Sequence, residues 1–259
     1  MKQNTAIILG MYIGPSESRK KMYQDNVLDW LHNTPYDIYT VNSSGHILDI
    51  THDRLFEFTF KQDETHMVSH QSKPLIDVFT KLFIKKKDSG PTQLEKNSIL
   101  KTFTHFPALF SYDMVFKITG KYFCPDFERH YNSIPSADII IQKKRYAINP
   151  ILLLLCVLAF ILLCLYMKIN PYRIIFMSVV LVSVVLFIYL MNSYEEPTEL
   201  LGMKPRLLHD FFNGIDEYTS SEKSLHQFIT RSTQSVVRMP SLPISRKFPR
   251  NDGSVLDAL

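Results

Sequence analysis

The spacing of apolar residues changes period several times along the chain. A short apolar stretch predicts a strand over Thr5 to Leu9, and apolar positions three and four apart predict a helix from about Ser18 to Leu31. Strands are expected at Asp37 to Val41 and, with clean alternation, at Leu55 to Phe60. Pro91 and the capping-box pattern Thr92-x-x-Glu95 open a second helix that runs to about Phe106. Strands at Met114 to Ile118 and Asp138 to Ile141 complete the series. Strands alternating with helices imply an α/β sheet, whose ligands gather at the carboxyl ends of the strands.

The pattern then loses its polar half. From Tyr146 to Met167 there are 22 consecutive residues without a charged side chain, and from Ile174 to Tyr194 another 21. Each run exceeds the roughly 18 apolar residues that mark a membrane-spanning helix. Only Lys168 to Arg173 separates them, so the expected structure is an antiparallel hairpin with both flanking segments on one side of the membrane. Arg129, Lys143, Lys144, Arg145, Lys204 and Arg206 lie near the outer ends, against Lys168 and Arg173 in the turn. That asymmetry places the flanking segments in the cytosol, as a multi-pass membrane protein with two helices. Neither run contains an ionisable residue of the kind that lines an ion pathway, which favours an anchor over a channel.

After the hairpin, Leu207, Leu208, Phe211, Phe212 and Ile215 fall at helical spacing, with Gly214 as the expected terminator. Leu225, Phe228 and Ile229 mark another helix, and Val236 to Ser245 a Pro-punctuated, strand-like tail. This C-terminal piece is amphipathic yet too short to bury its own apolar faces. It is therefore expected to pack on the N-terminal sheet. The predicted organisation is residues 1–145 as the first part of one domain, 146–194 as the hairpin and 195–259 as the rest of that domain.

Composition narrows the function classes. The formal charge of +4 on 259 residues is too weak a bias for a nucleic-acid partner. Three cysteines, Cys124, Cys156 and Cys164, make no disulfide framework and no zinc site, which fits a reducing compartment. His66 and His70 have helical spacing without the glutamate of a zinc-protease motif, and Lys81 with Lys85-Lys86-Lys87 reads as a solvated charge run that could also rest on anionic headgroups.

The sharpest candidate chemistry is the strand that ends Phe116-Lys117-Ile118-Thr119-Gly120-Lys121-Tyr122. It sets a small turn, two ammonium groups and an aromatic ring at a strand's carboxyl end. Gly120 lets the backbone approach an anionic phosphate group, and Lys117 and Lys121 neutralise its charge; an ordinary surface turn would have the same residues. At the first strand's end, Gly10-Met11-Tyr12-Ile13-Gly14 offers Tyr12 as a stacking surface for a base, and Asn42-Ser43-Ser44-Gly45 offers Asn42 to a ribose. Both also read as plain turns.

The string Val115-Phe116-Lys117-Ile118-Thr119-Gly120-Lys121-Tyr122 resembles the "KITGRY" segment of nucleotide-sugar glycosyltransferases with a GT-A-like fold, found in bacteria and large DNA viruses. Gln93 to Leu100, Thr198-Glu199-Leu200-Leu201-Gly202 and Arg250-Asn251-Asp252-Gly253-Ser254 resemble other parts of the same group, in the same order. The resemblance implies a GT-A-like, Rossmann-like sheet with flanking helices, interrupted by the hairpin. It also implies that Glu95, Thr119 and Asp252 belong to the substrate site with Lys117, Gly120, Lys121 and Tyr122, and that Glu199 is the base. Glu222 competes for that role, although Thr219-x-x-Glu222 is a capping box; Glu199 itself can be read as a helix-entry carboxylate, and Glu95 as a cap.

The expected activity is transfer of a sugar from a nucleotide-sugar donor to a hydroxyl of a glycan, protein or lipid acceptor. The Asp-x-Asp that would hold a divalent metal on the donor is missing, the nearest acids being Asp113 and Asp126, so no metal ligands are assigned. The alternative function is a membrane-tethered binding or scaffold protein with a degenerate form of the fold.

Overall fold

Strands buried along almost their whole length form the middle of the sheet. In the computed structural model, which describes residues 4–61, 90–142, 199–215, 221–240, 247–249 and 255–257, β1 (Thr5–Met11) is flanked by β2 (Asp37–Asn42) and β4 (Met114–Thr119). Both pairings are parallel. β3 (Leu55–Thr59) extends one side in parallel, and the full order is β3-β2-β1-β4-β6-β5-β7. The remaining strands are β5 (Ile139–Gln142), β6 (Leu200–Met203) and β7 (Val236–Met239). This is a mixed α/β sheet of seven strands with flanking helices, compatible with a Rossmann-like fold.

β6 runs against both of its neighbours: Ile118 pairs with Leu200, and Ile141 with Leu201. A strand that follows the apolar runs in sequence is thereby hydrogen-bonded between two that precede them. Every described residue falls within one compact unit made of Met1–Lys143 and Pro197–Leu259. The predicted membrane hairpin lies outside the described residues. Among the described residues, no helix is long and apolar enough to cross a membrane.

Because a strand's side chains alternate between faces, the sheet buries two separate cores. Ile7, Leu9, Phe116 and Ile118 point to the face covered by α1 (Glu17–Asn33) and the short α3 (Phe127–Asn132). Ile8, Val115, Leu201 and Met203 point to the face covered by α2 (Gly90–His105), α4 (Pro205–Asn213) and α5 (Ser221–Arg231). Ser16 caps α1 by accepting from the Arg19 amide. Trp30, fully buried on α1, meets Phe123 and Phe127 edge-on at 5.2 Å, and its Nε1 donates to the Tyr122 carbonyl at 2.9 Å. That bond fixes the chain leaving β4 onto α1.

Two local expectations need correction. α2 begins at Gly90, so Thr92 lies inside the helix and the Thr92–Glu95 pair is no capping box. Glu199 precedes a strand, so the helix-entry reading of that residue falls. Of the tail predicted as strand-like to Ser245, Val236–Met239 is a strand and 241–246 lie outside the described residues; β8 (Lys247–Pro249) and β9 (Val255–Asp257) pair with each other as an antiparallel ladder.

Candidate functional site at the carboxyl edge of the sheet

The ends of β1 and β4 and the beginning of β6 meet in one row. Gly10 pairs with Thr119 across β1 and β4, and the Thr119 amide donates to the Glu199 carbonyl at 3.2 Å. The chain then turns: the Gly120 amide donates to the Gly10 carbonyl at 2.9 Å, and the Asn26 Nδ2 donates to the Gly120 carbonyl at 3.4 Å. A Cβ on Gly120 would lie 2.7 Å from the Met11 Cγ and 3.1 Å from the Gly10 carbonyl oxygen, so the close approach of the two strand ends requires glycine.

Lys117 takes a different position from the one its sequence suggests. It lies on the α2 face of β4, 2% exposed, in register between Ile8 and Leu201, and its ammonium pairs with the Glu95 carboxylate of α2. A charge buried this deeply requires an opposite charge, and Glu95 supplies it. Glu95 is thus joined to the "KITGKY" strand by an ion pair. The two residues are 22 positions apart in sequence, and no spacing rule connects them.

α2 runs from the carboxyl edge toward the amino edge: Lys96 near its start donates to the carbonyl of Ile215, beyond the far end of α4, which leaves the amino edge at Pro205, whereas the chain after Phe106 reaches that edge at Asp113. Its first turns therefore overlook the same edge as Thr119 and Glu199. The Nε2 of Gln93 there is buried with no hydrogen-bond partner, a donor that sequence reasoning passed over. An unsatisfied buried donor is costly, and a ligand oxygen is one group that can satisfy it.

Of the other expected site residues, Lys121 and Thr119 are half-buried in the turn, and Tyr122 is buried beneath it. Glu199 is exposed, and Glu222 is half-buried in the first turn of α5. Tyr12 is half-buried; its amide is 3.4 Å from the Tyr23 hydroxyl, and its ring lies 3.5 Å from where a side chain on Gly14 would begin. Asn42 is 1% exposed, and its carboxamide is engaged in holding its own loop. The oxygen accepts from the Ser44 amide at 3.1 Å, the Ser44 hydroxyl at 2.8 Å and the Ile13 amide at 3.4 Å, while the nitrogen donates to the His46 carbonyl. Asn42 therefore shapes the loop from within. Asp252, Thr219, His66, His70 and the lysines from 81 to 87 lie outside the described residues.

The acids nearest the strand in sequence serve other purposes. Asp113 accepts from the Asn4 amide at 2.9 Å on the opposite edge, and Asp126 pairs with Arg129 at 3.2 Å. Among the described residues, no group of three His, Cys, Asp or Glu side chains gathers to hold a metal ion. Cys124 is buried, and burial pushes its thiol up to about 12, so it is a packing residue and not a nucleophile. No family model, no curated protein and no solved structure matches the chain.

Proposed function

We propose that the protein is a membrane-anchored glycosyltransferase of GT-A-like fold that moves a sugar from a nucleotide-sugar donor to an acceptor hydroxyl. The observation that carries this reading is the row Gly10, Thr119-Gly120 and Glu199 at the carboxyl edge. It brings Gly120, whose missing side chain lets the two strand ends close, together with Lys121, the next residue in the chain, and the exposed residue Glu199. The resemblance of the "KITGKY" strand supplies the reaction class, and the mixed sheet is compatible with it.

In an inverting transfer, the acceptor oxygen forms a bond to the anomeric carbon as the bond from that carbon to the diphosphate breaks. The proton of the acceptor hydroxyl passes to a carboxylate, and the nucleoside diphosphate departs carrying the electron pair. Glu199 takes the proton, and Lys121 meets the departing diphosphate beside Gly120, whose amide and carbonyl are already engaged by Gly10 and Asn26. Lys117 acts at one remove, because its charge is already matched by Glu95. It stiffens the strand that presents the turn.

That same pair favours the second reading, a binding or scaffold protein, since it removes one of the two ammonium groups assigned to phosphate. A thermal-shift panel of nucleoside diphosphates and nucleotide sugars, with and without Mn²⁺, separates the two. A ligand at 100 times its dissociation constant stabilises the fold by about 2.7 kcal/mol. A rise in melting temperature with one nucleotide sugar supports the transferase, and a flat panel favours the scaffold.

A further inference from the structure

Where the chain leaves the sheet for its apolar runs bears on the acceptor. Gln142 ends β5 at the carboxyl edge, and Glu199 begins the return into β6 at that same edge. Ile141 pairs with Leu201 and Ile118 with Leu200, so the departure and the return lie on adjacent strands. Neighbouring strands are about 4.8 Å apart, which puts the return about one spacing from Thr119 and the departure about two.

The connecting lengths are short. Four peptide steps lead from Gln142 to Tyr146, where the first uncharged run begins, and five lead back from Tyr194 to Glu199. These steps reach at most about 14 Å and 18 Å. The departing link is Lys143-Lys144-Arg145, three cations suited to anionic headgroups. The amino edge has connections of its own, between Phe106 and Asp113 and between Ser232 and Ser235, and an anchor entering there would leave the candidate site on the side away from the bilayer.

We propose that the carboxyl edge faces the membrane and that the acceptor is a hydroxyl carried on a membrane lipid, presented at headgroup level. The inference rests on the transferase reading and narrows it to one acceptor class. The geometry suits a substrate confined to two dimensions: the nucleotide sugar arrives from water, the lipid arrives by lateral diffusion, and the tether keeps the row Gly10, Thr119-Gly120 and Glu199 within reach of both.

The test uses the full chain in vesicles of phosphatidylcholine and phosphatidylserine supplemented with a total membrane-lipid extract. Environment-sensitive probes are attached at H46C, in the loop held by Asn42 beyond the end of β2, and separately at S111C, exposed just before β4 begins. Unmutated protein corrects for labelling of native cysteines. A lipid-borne quencher at headgroup depth is expected to quench the His46 probe several-fold more than the Ser111 probe. Equal or reversed quenching overturns the proposed orientation.

The donor that shifts the melting temperature is then supplied with a radiolabelled sugar. Label in the chloroform-extractable fraction, made dependent on the lipid extract, is the expected result. Label found only in a water-soluble product, or released only as free sugar, overturns the lipid acceptor while leaving the transferase standing. Absence of any donor binding overturns the transferase reading and this inference with it.

Discussion

The two edges of one sheet treat their polar groups in opposite ways. At the amino edge the Tyr112 hydroxyl donates to Asp37 at 2.5 Å and meets the Tyr39 hydroxyl at 3.2 Å, while Thr5 and Tyr131 share a hydrogen bond of 3.0 Å. Burial raises the pKa of Tyr39, Tyr112 and Tyr131, so these phenols stay neutral and pair with one another, with a carboxylate or with the Thr5 hydroxyl. At the carboxyl edge a glycine turn replaces side chains, Glu199 is exposed and Gln93 carries a buried donor without a partner. Polar groups that close on each other hold a structure; a buried donor left without a partner is the kind of group that a ligand can satisfy.

The largest effect that would sharpen this contrast is on turnover. Glu199→Gln should keep donor binding but lower sugar transfer by about 10² to 10⁴-fold, the range expected when a positioned base is lost. Steady-state assays beside donor titrations check it; near-normal turnover would move the role to Glu222 or Asp252.

Next comes the phosphate side. Lys121→Met should weaken nucleotide binding by roughly 1.5 to 3 kcal/mol, the scale of a hydrogen bond to a charged group. Lys117→Met should weaken it less, because the Lys117 ammonium already pairs with Glu95. Calorimetric titration of both variants decides, and an equal loss would return Lys117 to the phosphate site.

Gly202→Ala tests packing without touching the edge. Its Cβ would lie 2.4 Å from the Phe116 Cε1, and the buried ring cannot give way freely. Overpacking of this kind costs about 1 to 3 kcal/mol, readable as a lower denaturation midpoint. At the amino edge, Tyr112→Phe should cost about 0.5 to 1.5 kcal/mol in stability, the net value of a hydrogen bond, and leave transfer unchanged. A fall in transfer there would erase the distinction between the edges.

The smallest effect is a pH dependence. Asp138 bonds to Lys204 at 2.6 Å and to the Ser235 hydroxyl at 2.7 Å, and these partners lower its pKa from the ordinary 3.8 to about 2. A carboxylate depressed in the folded state contributes stability above its unfolded pKa, and that contribution is lost as pH falls through the folded value. Stability should therefore slope downward between about pH 4 and pH 2. Asp138→Asn should flatten that part of the curve in acid-denaturation measurements.

Much of the frame was legible along the chain. β1, β2 and β4 are predicted within two residues at each end, and α1 within two as well, because their apolar spacing and bounding polar residues are local signals. β6 was not, since Leu200-Leu201-Gly202 is too short to declare a period and its partners are distant in sequence. The six-residue α3, preceded by Pro125-Asp126, was missed for the same reason. Of the candidate site, Thr119, Gly120 and Glu199 were named from sequence, but their adjacency rests on ladder pairings that no local pattern carries.

The sequence by itself determined the alternation of strands and helices, the two uncharged runs and the small, basic turn after β4, since each is written in consecutive residues or a repeated spacing. Only the tertiary structure decided that β6 lies between β4 and β5, that Lys117 is buried against Glu95, and that Gly202 makes room for Phe116. These are contacts between residues far apart in sequence. They depend on which faces of a twisted sheet each helix covers, and on charges and volumes that find their complements only once the chain has closed.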